Sequence, residues 1–195
     1  MLLRMRPLAA LAFLLLPLAS HAQAPGFSCP PAGLEVRLSD GRIILQQGAE
    51  RLEPLLCLRQ TTRPDLAPVQ ERYWLNAIQE GEPDQRDARR AAVASLLPFR
   101  QGAEARFNAT RTDGQAIAVT FRVQDIAEKT LPAGRFTVLS LLEESSFPAG
   151  KIVGLHGLDL ATGTYLSFWG EFQMGGMHTR AIESQATAIT PAAAR

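Results

Sequence analysis

The chain has 195 residues, 20 of them basic and 19 acidic, for a formal charge of +1. That near-balance, with the two signs interspersed as in Glu50-Arg51-Leu52-Glu53 and Glu104-Ala105-Arg106, excludes the one-sided basic face of a nucleic-acid binder. The length suits one ordinary domain around a single core. Lys129 and Lys151 are the only lysines. Because Arg86, Arg89 and Arg90 stand beside Asp84 and Asp87, the arginine excess reads as compositional bias and not as phosphate recognition.

Residues 1–22 have the three parts of a secretory signal. Arg4 and Arg6 form a positive start, residues 8–18 a short apolar stretch, and Ser20-His21-Ala22 the small residues at −3 and −1 of a cleavage site. Cleavage after Ala22 makes Gln23 the first mature residue; a cut after Ala24 would place Pro25 next to it, which suits the peptidase badly. The apolar stretch is shorter than the about 20 residues a bilayer requires, and Pro7 and Pro17 disfavour a helix across it. A lipid anchor on Cys29 is not expected, since Gly26-Phe27-Ser28 lacks the preceding leucine-like residue. Loss of the signal takes the basic residues from 20 to 18 against 19 acidic ones, a net charge of −1. The expectation is an exported protein, periplasmic or secreted from a Gram-negative bacterium, soluble and not membrane-spanning.

Cys29 and Cys57 are the only cysteines. In an oxidising compartment a lone pair in a small domain reads as a structural bridge. A catalytic redox pair normally needs the short C-x-x-C spacing, and no histidine or second cysteine pair lies near enough for zinc.

Along the mature chain, residues 23–31 form a proline-rich lead. Residues 34–38 and 42–45 read as two strands around Ser39-Asp40-Gly41, and residues 55–58 as a third. Val69, Tyr73, Ala77 and Ile78 recur at helical spacing and predict a helix over 69–79, with Trp74 on its flank and Gly81 as its stop. A second helix is predicted over 84–97, opened by Pro83-Asp84, buried through Val93, Leu96 and Leu97, and ended by Pro98. The last half is β. Ala103, Ala105, Phe107 and Ala109 alternate with polar residues, as do Ile117, Val119, Phe121 and Val123 beyond the turn at Asp113-Gly114. Further strands follow turns at Pro132-Ala133-Gly134, Pro148-Ala149-Gly150, Ala161-Thr162-Gly163 and Gly175-Gly176. The whole predicts an α+β, mainly β fold: a curved antiparallel meander packed on one or two helices, with a disulfide-linked N-terminal hairpin. The expected organisation is one β-rich domain over 23–190, divided into an N-terminal hairpin region (23–66), a helical segment (67–98) and the sheet (99–190). A flexible tail follows over 191–195.

Three stretches carry a family resemblance: Leu97-Pro98-Phe99-Arg100-Gln101-Gly102 entering a strand, Leu131-Pro132-Ala133-Gly134-Arg135-Phe136 at a hairpin, and Leu158-Asp159-Leu160-Ala161-Thr162-Gly163 before the next strand. Through them, residues 97–172 resemble a group of uncharacterised β-rich proteins exported by Gram-negative bacteria, in which a Pro-Ala-Gly-x-Phe hairpin recurs. The segment from Cys29 to Cys57 is a looser match. Leu158 and Leu160 stand where that group often has Trp and Pro. The resemblance implies a fold and a compartment, and no reaction.

No motif in the chain specifies a reaction: there is no G-x-S-x-G elbow, no H-E-x-x-H pair and no phosphate-cradling loop. His156 and His178, with Asp159 or Glu171, are the available acid–base or metal-ligating groups on neighbouring strands. Glu143 and Glu144, adjacent on a strand, point to opposite faces and cannot pair with each other. Phe107, Phe121, Phe136, Phe168, Trp169 and Phe172 come from several strands and either fill the core or line an apolar cup. Of these, Phe107, Phe121, Phe136 and Trp169 are the candidate ligand-binding residues. The leading expectation is a non-catalytic cell-envelope protein that binds a lipid, another apolar ligand or another exported protein, with no cofactor, no metal and no nucleic acid. The alternatives are a small hydrolase-like enzyme using His156 or His178 with Glu171, and a structural accessory subunit.

Overall fold

A computed structural model describes residues 26–110, 114–175, 177–178 and 181–191. The expected signal peptide and its cleavage site, Asp113, Gly176, and the expected tail beyond Pro191 lie outside the described residues.

The chain opens with three strands, β1 (Leu34–Leu38), β2 (Ile43–Glu50) and β3 (Glu53–Thr62). Two more follow, β4 (Val69–Trp74) and β5 (Ile78–Gln79). Here the expected helix over 69–79 is corrected: the segment is a hairpin. Leu75 and Asn76 between the strands have φ of 50° and 58°, and the Ala77 N–H donates to the Trp74 carbonyl at 3.1 Å. Two successive left-handed residues reverse a strand tightly. Asn tolerates that region; Leu75 resists it and is held there by complete burial. Asn76 is fixed by its own Nδ2, which donates to the Gly163 carbonyl at 3.1 Å.

The second expected helix is present in shorter form. A 3-10 turn at Pro83–Gln85 leads into α1 (Arg86–Ala94), whose Val93, with Leu96 just beyond, is buried in the core.

The long hairpins follow: β6 (Glu104–Thr110), β7 (Ala116–Leu131), β8 (Gly134–Phe147), β9 (Gly150–Asp159) and β10 (Tyr165–Met174). The short β11 (Met177–His178) and β12 (Ile182–Pro191) close the series. The alternation read from the sequence matches the register: Ala105 lies opposite Phe121, and Phe107 opposite Val119. All these strands belong to one antiparallel sheet, ordered β5-β4-β3-β2-β1-β12-β10-β9-β8-β7-β6, with β11 on β10. Two meanders are therefore joined through β12. Its first residues pair with β10 and its later ones with β1.

The sheet curls into a half-barrel. Register shifts at Arg37/Leu38, Gln46/Gly48, Val123/Asp125 and Tyr165/Ser167 bend the strands, as bulges do by adding local twist. Residues from strands several places apart then meet inside the curl, and α1 packs against β6. The expected bridge is present: Cys29 and Cys57 are bonded, with their Cα atoms 5.3 Å apart.

That bridge ties the N-terminal lead across the β9–β10 turn. Gly163 has φ of +67°, and a Cβ there would lie 2.2 Å from the Ser28 carbonyl oxygen and 2.8 Å from the Phe27 ring. Gly102 has a similar φ of +84° with nothing within 4 Å. Comparing the two separates backbone strain from collision. Gly102→Ala should cost only the strain of a left-handed residue, about 1 kcal/mol, and Gly163→Ala about 3 kcal/mol or more, since it also displaces the lead. Equilibrium urea unfolding of both variants checks this, and equal losses would remove the packing argument.

Candidate functional site

Strand alternation decides which side chains enter the curl. Across β7 to β12 one inner row runs Val123, Leu141, His156, Phe168 and Ser184. The next runs Phe121, Glu143, Gly154 and Gly170. Glu143 and His156 are diagonal neighbours, and Glu143 Oε2 lies 2.9 Å from His156 Nε2. Ser145 Oγ donates to the other carboxylate oxygen at 2.8 Å. The His156 side chain is 10% exposed and that of Glu143 24%.

Burial pushes the Glu143 carboxyl up, but the hydrogen bonds from His156 and Ser145 and the charges of His156 and Arg89 outweigh it, and its pKa lies below the ordinary carboxylate value. With Glu143 ionised, His156 donates to it from Nε2, in the neutral ring as in the charged one. In the neutral ring Nδ1 is then a bare acceptor; it is buried and bonds to no described residue.

The ring of Phe168 lies 5.1 Å from that of His156. Two glycines make this possible. A Cβ on Gly170 would come within 2.5 Å of Phe168 Cζ, and one on Gly154 within 3.1 Å of Phe168 Cε2. Gly170→Ala should therefore turn Phe168 away from His156. The result expected is a changed His156 ring resonance in NMR spectra; an unchanged one would refute the contact.

The opposite wall comes from β3 and β4. Arg59, with a side chain 5% exposed, forms an ion pair with Glu71 through Nε at 3.2 Å and donates from Nη1 to the Asn76 carbonyl at 3.3 Å. Thr61 also donates to Glu71. The Arg59 guanidinium lies 3.6 Å from the centre of the Tyr73 ring and 5.2 Å from that of Tyr165, a cation–π arrangement that bridges the two walls. Arg42 bonds Asp40 through Nε at 2.7 Å and Ser184 through Nη2 at 2.8 Å. Arg42, Arg59, Tyr73 and Tyr165, with Ala77, His156 and Phe168, surround a cavity of about 160 Å³. Burial raises the pKa of Tyr165 well above the ordinary phenol value, so its hydroxyl stays a donor; Arg59 and Arg42 pull the other way.

A larger cavity, about 560 Å³, lies between β4–β5 and β6–β7, and Tyr73 borders both. Arg89 of α1 reaches into it. Its guanidinium lies 5.0 Å from the Phe107 ring and donates to the Gln79 carbonyl and Gln85 Oε1 at 2.8 and 3.0 Å. It rests against Gly81, where a Cβ would lie 2.2 Å from Arg89 Cζ. Desolvation lowers the pKa of Arg89, opposed by Glu143 and Glu82.

The expected acid partners of His156 are placed elsewhere. Glu171 shares a face of β10 with Trp169, opposite to Phe168, because adjacent strand residues alternate. Asp159 binds the following turn, accepting from Thr162 Oγ1 at 2.6 Å. His178, on β11, pairs with Gln173 of β10, and its side chain is not among those described. No group of three or more His, Cys, Asp or Glu among the described residues is arranged to hold a metal.

The candidate aromatics also divide. Phe107 and Phe121 stack at 6.3 Å in the core. Phe136 lies on the face of β8 opposite Leu141, against the core periphery, and Trp169 faces away from His156. The sequence reading missed Glu143 as the partner of His156, and Arg59, Tyr73 and Tyr165 as cavity walls. A carboxylate at an inward position of an apolar strand was the one available signal.

Among the described residues no helix is long and apolar enough to cross a membrane. No protein-family model matches the chain, and no curated protein matches it. Solved structures similar to the chain include the hypothetical lipoprotein YmcC from Escherichia coli K12, 14% identical, with 85% of this chain and 89% of that one covered and a TM-score of 0.44. Another is a protein described as a lipoprotein from Parabacteroides distasonis, 12% identical, covering 84% of this chain and 98% of that one with a TM-score of 0.40.

Proposed function

We propose that the protein is a non-catalytic binding protein of the cell envelope that takes a small ligand inside the curl of its sheet. The observation that carries the reading is the cavity between the two meanders. Tyr73 and Arg59 form one wall, Tyr165 and Phe168 the other, and the buried His156 Nδ1 bonds to no described residue. Aromatic walls with a few fixed polar groups are the usual composition of a ligand site. The envelope assignment rests on the secretory pattern of residues 1–22 and agrees with the disulfide, which persists in oxidising compartments. The walls are polar as well as aromatic, so a purely apolar lipid suits the cavity less well than a ligand with hydrogen-bonding groups.

Native mass spectrometry of the protein purified from its own periplasm tests this. The expected result is an adduct that disappears in Tyr73→Ala while the far-UV circular dichroism is retained. A clean apo mass would count against the reading.

A second reading, hydrolase-like catalysis, is favoured by the same dyad: a carboxylate that orients a histidine leaves its other nitrogen as a general base. No described hydroxyl or thiol bonds to Nδ1, so the nucleophile would be water. Loss of a defined hydrolytic activity in a folded His156→Gln variant would establish this reading over the first.

A further inference from the structure

Resting on the binding reading above, we infer that the small cavity recognises the carboxylate of a compact, single-ring acid, received by Arg42, Arg59 and Tyr165, with His156 Nδ1 accepting a hydrogen bond from the same ligand. The first ground is the donor inventory. Asp40 and Ser184 take Nε and Nη2 of Arg42, and Glu71 and the Asn76 carbonyl take Nε and Nη1 of Arg59. Nη1 of Arg42 and Nη2 of Arg59 make no hydrogen bond to any described residue. Each arginine is thus held at one end by its own acid and offers the remaining N–H groups to the cavity it borders. Tyr165 adds a hydroxyl that feels both arginine charges. A site with several donors and one acceptor is complementary to a carboxylate, whose two oxygens only accept.

The second ground is shape. The cavity of about 160 Å³ admits one ring and little more, and the rings of Tyr73, Tyr165 and Phe168 border it. Arg59 already stacks on Tyr73 and reaches over Tyr165, and His156 lies against Phe168, so a ligand ring would meet the remaining edges of Tyr165 and Phe168. The third ground is His156. Its side chain is nine-tenths buried, Glu143 fixes its orientation through Nε2, and its Nδ1 bonds to no described residue. A buried polar atom left unpaired carries a desolvation cost that a bound ligand would remove. Because Asp40 and Glu71 already balance the two arginines, affinity comes from aligned hydrogen bonds more than from net charge, and moderate salt should weaken it only slightly.

The test uses the mature protein with benzoate and 4-hydroxybenzoate as probes, and methyl benzoate and benzyl alcohol as uncharged counterparts. Binding is followed by the ring resonances of His156 and Tyr165. The acids should shift both resonances saturably at millimolar concentration, with 4-hydroxybenzoate displacing benzoate, and the uncharged compounds should not. Arg42→Gln and the near-isosteric Tyr165→Phe should each weaken the acids about tenfold or more, the usual effect of losing a hydrogen bond to a charged group. Their native circular dichroism guards against unfolding as the cause. Equal binding of the uncharged compounds, no shift with any acid, or unaltered affinity in both variants would overturn the inference. A periplasmic adduct without a carboxylate would end the ligand-class inference and leave the binding reading intact. An apo mass together with no shift would end both.

Discussion

Replacing Cys29 and Cys57 together by serine is expected to lower the stability of the protein by roughly 3–4 kcal/mol, the chain-entropy value for a bridge closing a loop of this length. The two residues are separated by 28 positions. For a protein of this size the loss corresponds to a fall in Tm of roughly 10 °C. The structure adds a local consequence. The bridge holds the lead segment, and with it Phe27, against Gly163 of the β9–β10 turn and against Phe99, whose ring is 6.2 Å away. Hydrogen exchange should therefore rise first at the lead and at the β9–β10 turn, and only then through β3. Calorimetry with and without reductant measures the global part, and exchange mass spectrometry the local one. A loss spread evenly over the sheet would show that the bridge acts only through the unfolded chain.

The second large effect concerns Glu143 and His156. Removing His156 strands a carboxylate that is three-quarters buried, and His156→Ala should cost about 3 kcal/mol at neutral pH, near the lower end for breaking a buried pair. Glu143→Gln keeps the size of the side chain and leaves no charge, and should cost only about 1 kcal/mol. In the double variant the stranded charge is gone, so the losses should fall short of their sum by about 1–2 kcal/mol, as for residues in direct contact. The pH dependence follows from the depressed carboxyl of Glu143. A folded pKa below the unfolded value of about 4.3 means that the unfolded state binds the proton more readily. The stabilisation is therefore complete above that value and lost as pH falls through the folded one. The difference in unfolding free energy between wild type and Glu143→Gln should shrink as pH falls below about 4. A difference that does not change across the acid range would mean that the carboxylate is not held in this way.

The parts of the fold that could be read from the residues are those in which one physical signal acts alone. β6 and β7 alternate polar and apolar residues because one face is buried, and the observed register places Ala105, Phe107 and Phe121 as that alternation requires. The bridge was readable because only two cysteines exist. Residues 69–79 misled because Val69, Tyr73, Ala77 and Ile78 match helical spacing by coincidence. What decides the matter is the left-handed pair Leu75-Asn76, which lacks the glycine that usually marks such a turn. Long-range pairing was equally hidden. Nothing local reports that β12 lies between β1 and β10, or that Arg59 of β3 meets Tyr165 of β10. Of the site, only His156 and Phe168 were singled out beforehand. Glu143 stays obscure because its pairing with His156 needs the β8–β9 register, and Glu171, expected to converge from a neighbouring strand, lies on the other face of β10.

The placement of β12 bears on how the chain is assembled in time. Leu34 of β1 lies opposite Pro191 of β12, so the join between the meanders waits until β12, the last strand among the described residues, has been made. Contacts of such wide sequence separation form slowly, since the entropy of closing the loop is lost before the pairing repays it. Until then β1 and β10 each present an unpaired edge, and the emerging chain is a ready client for holdase chaperones. Such a chain keeps its two meanders apart until β12 has been made.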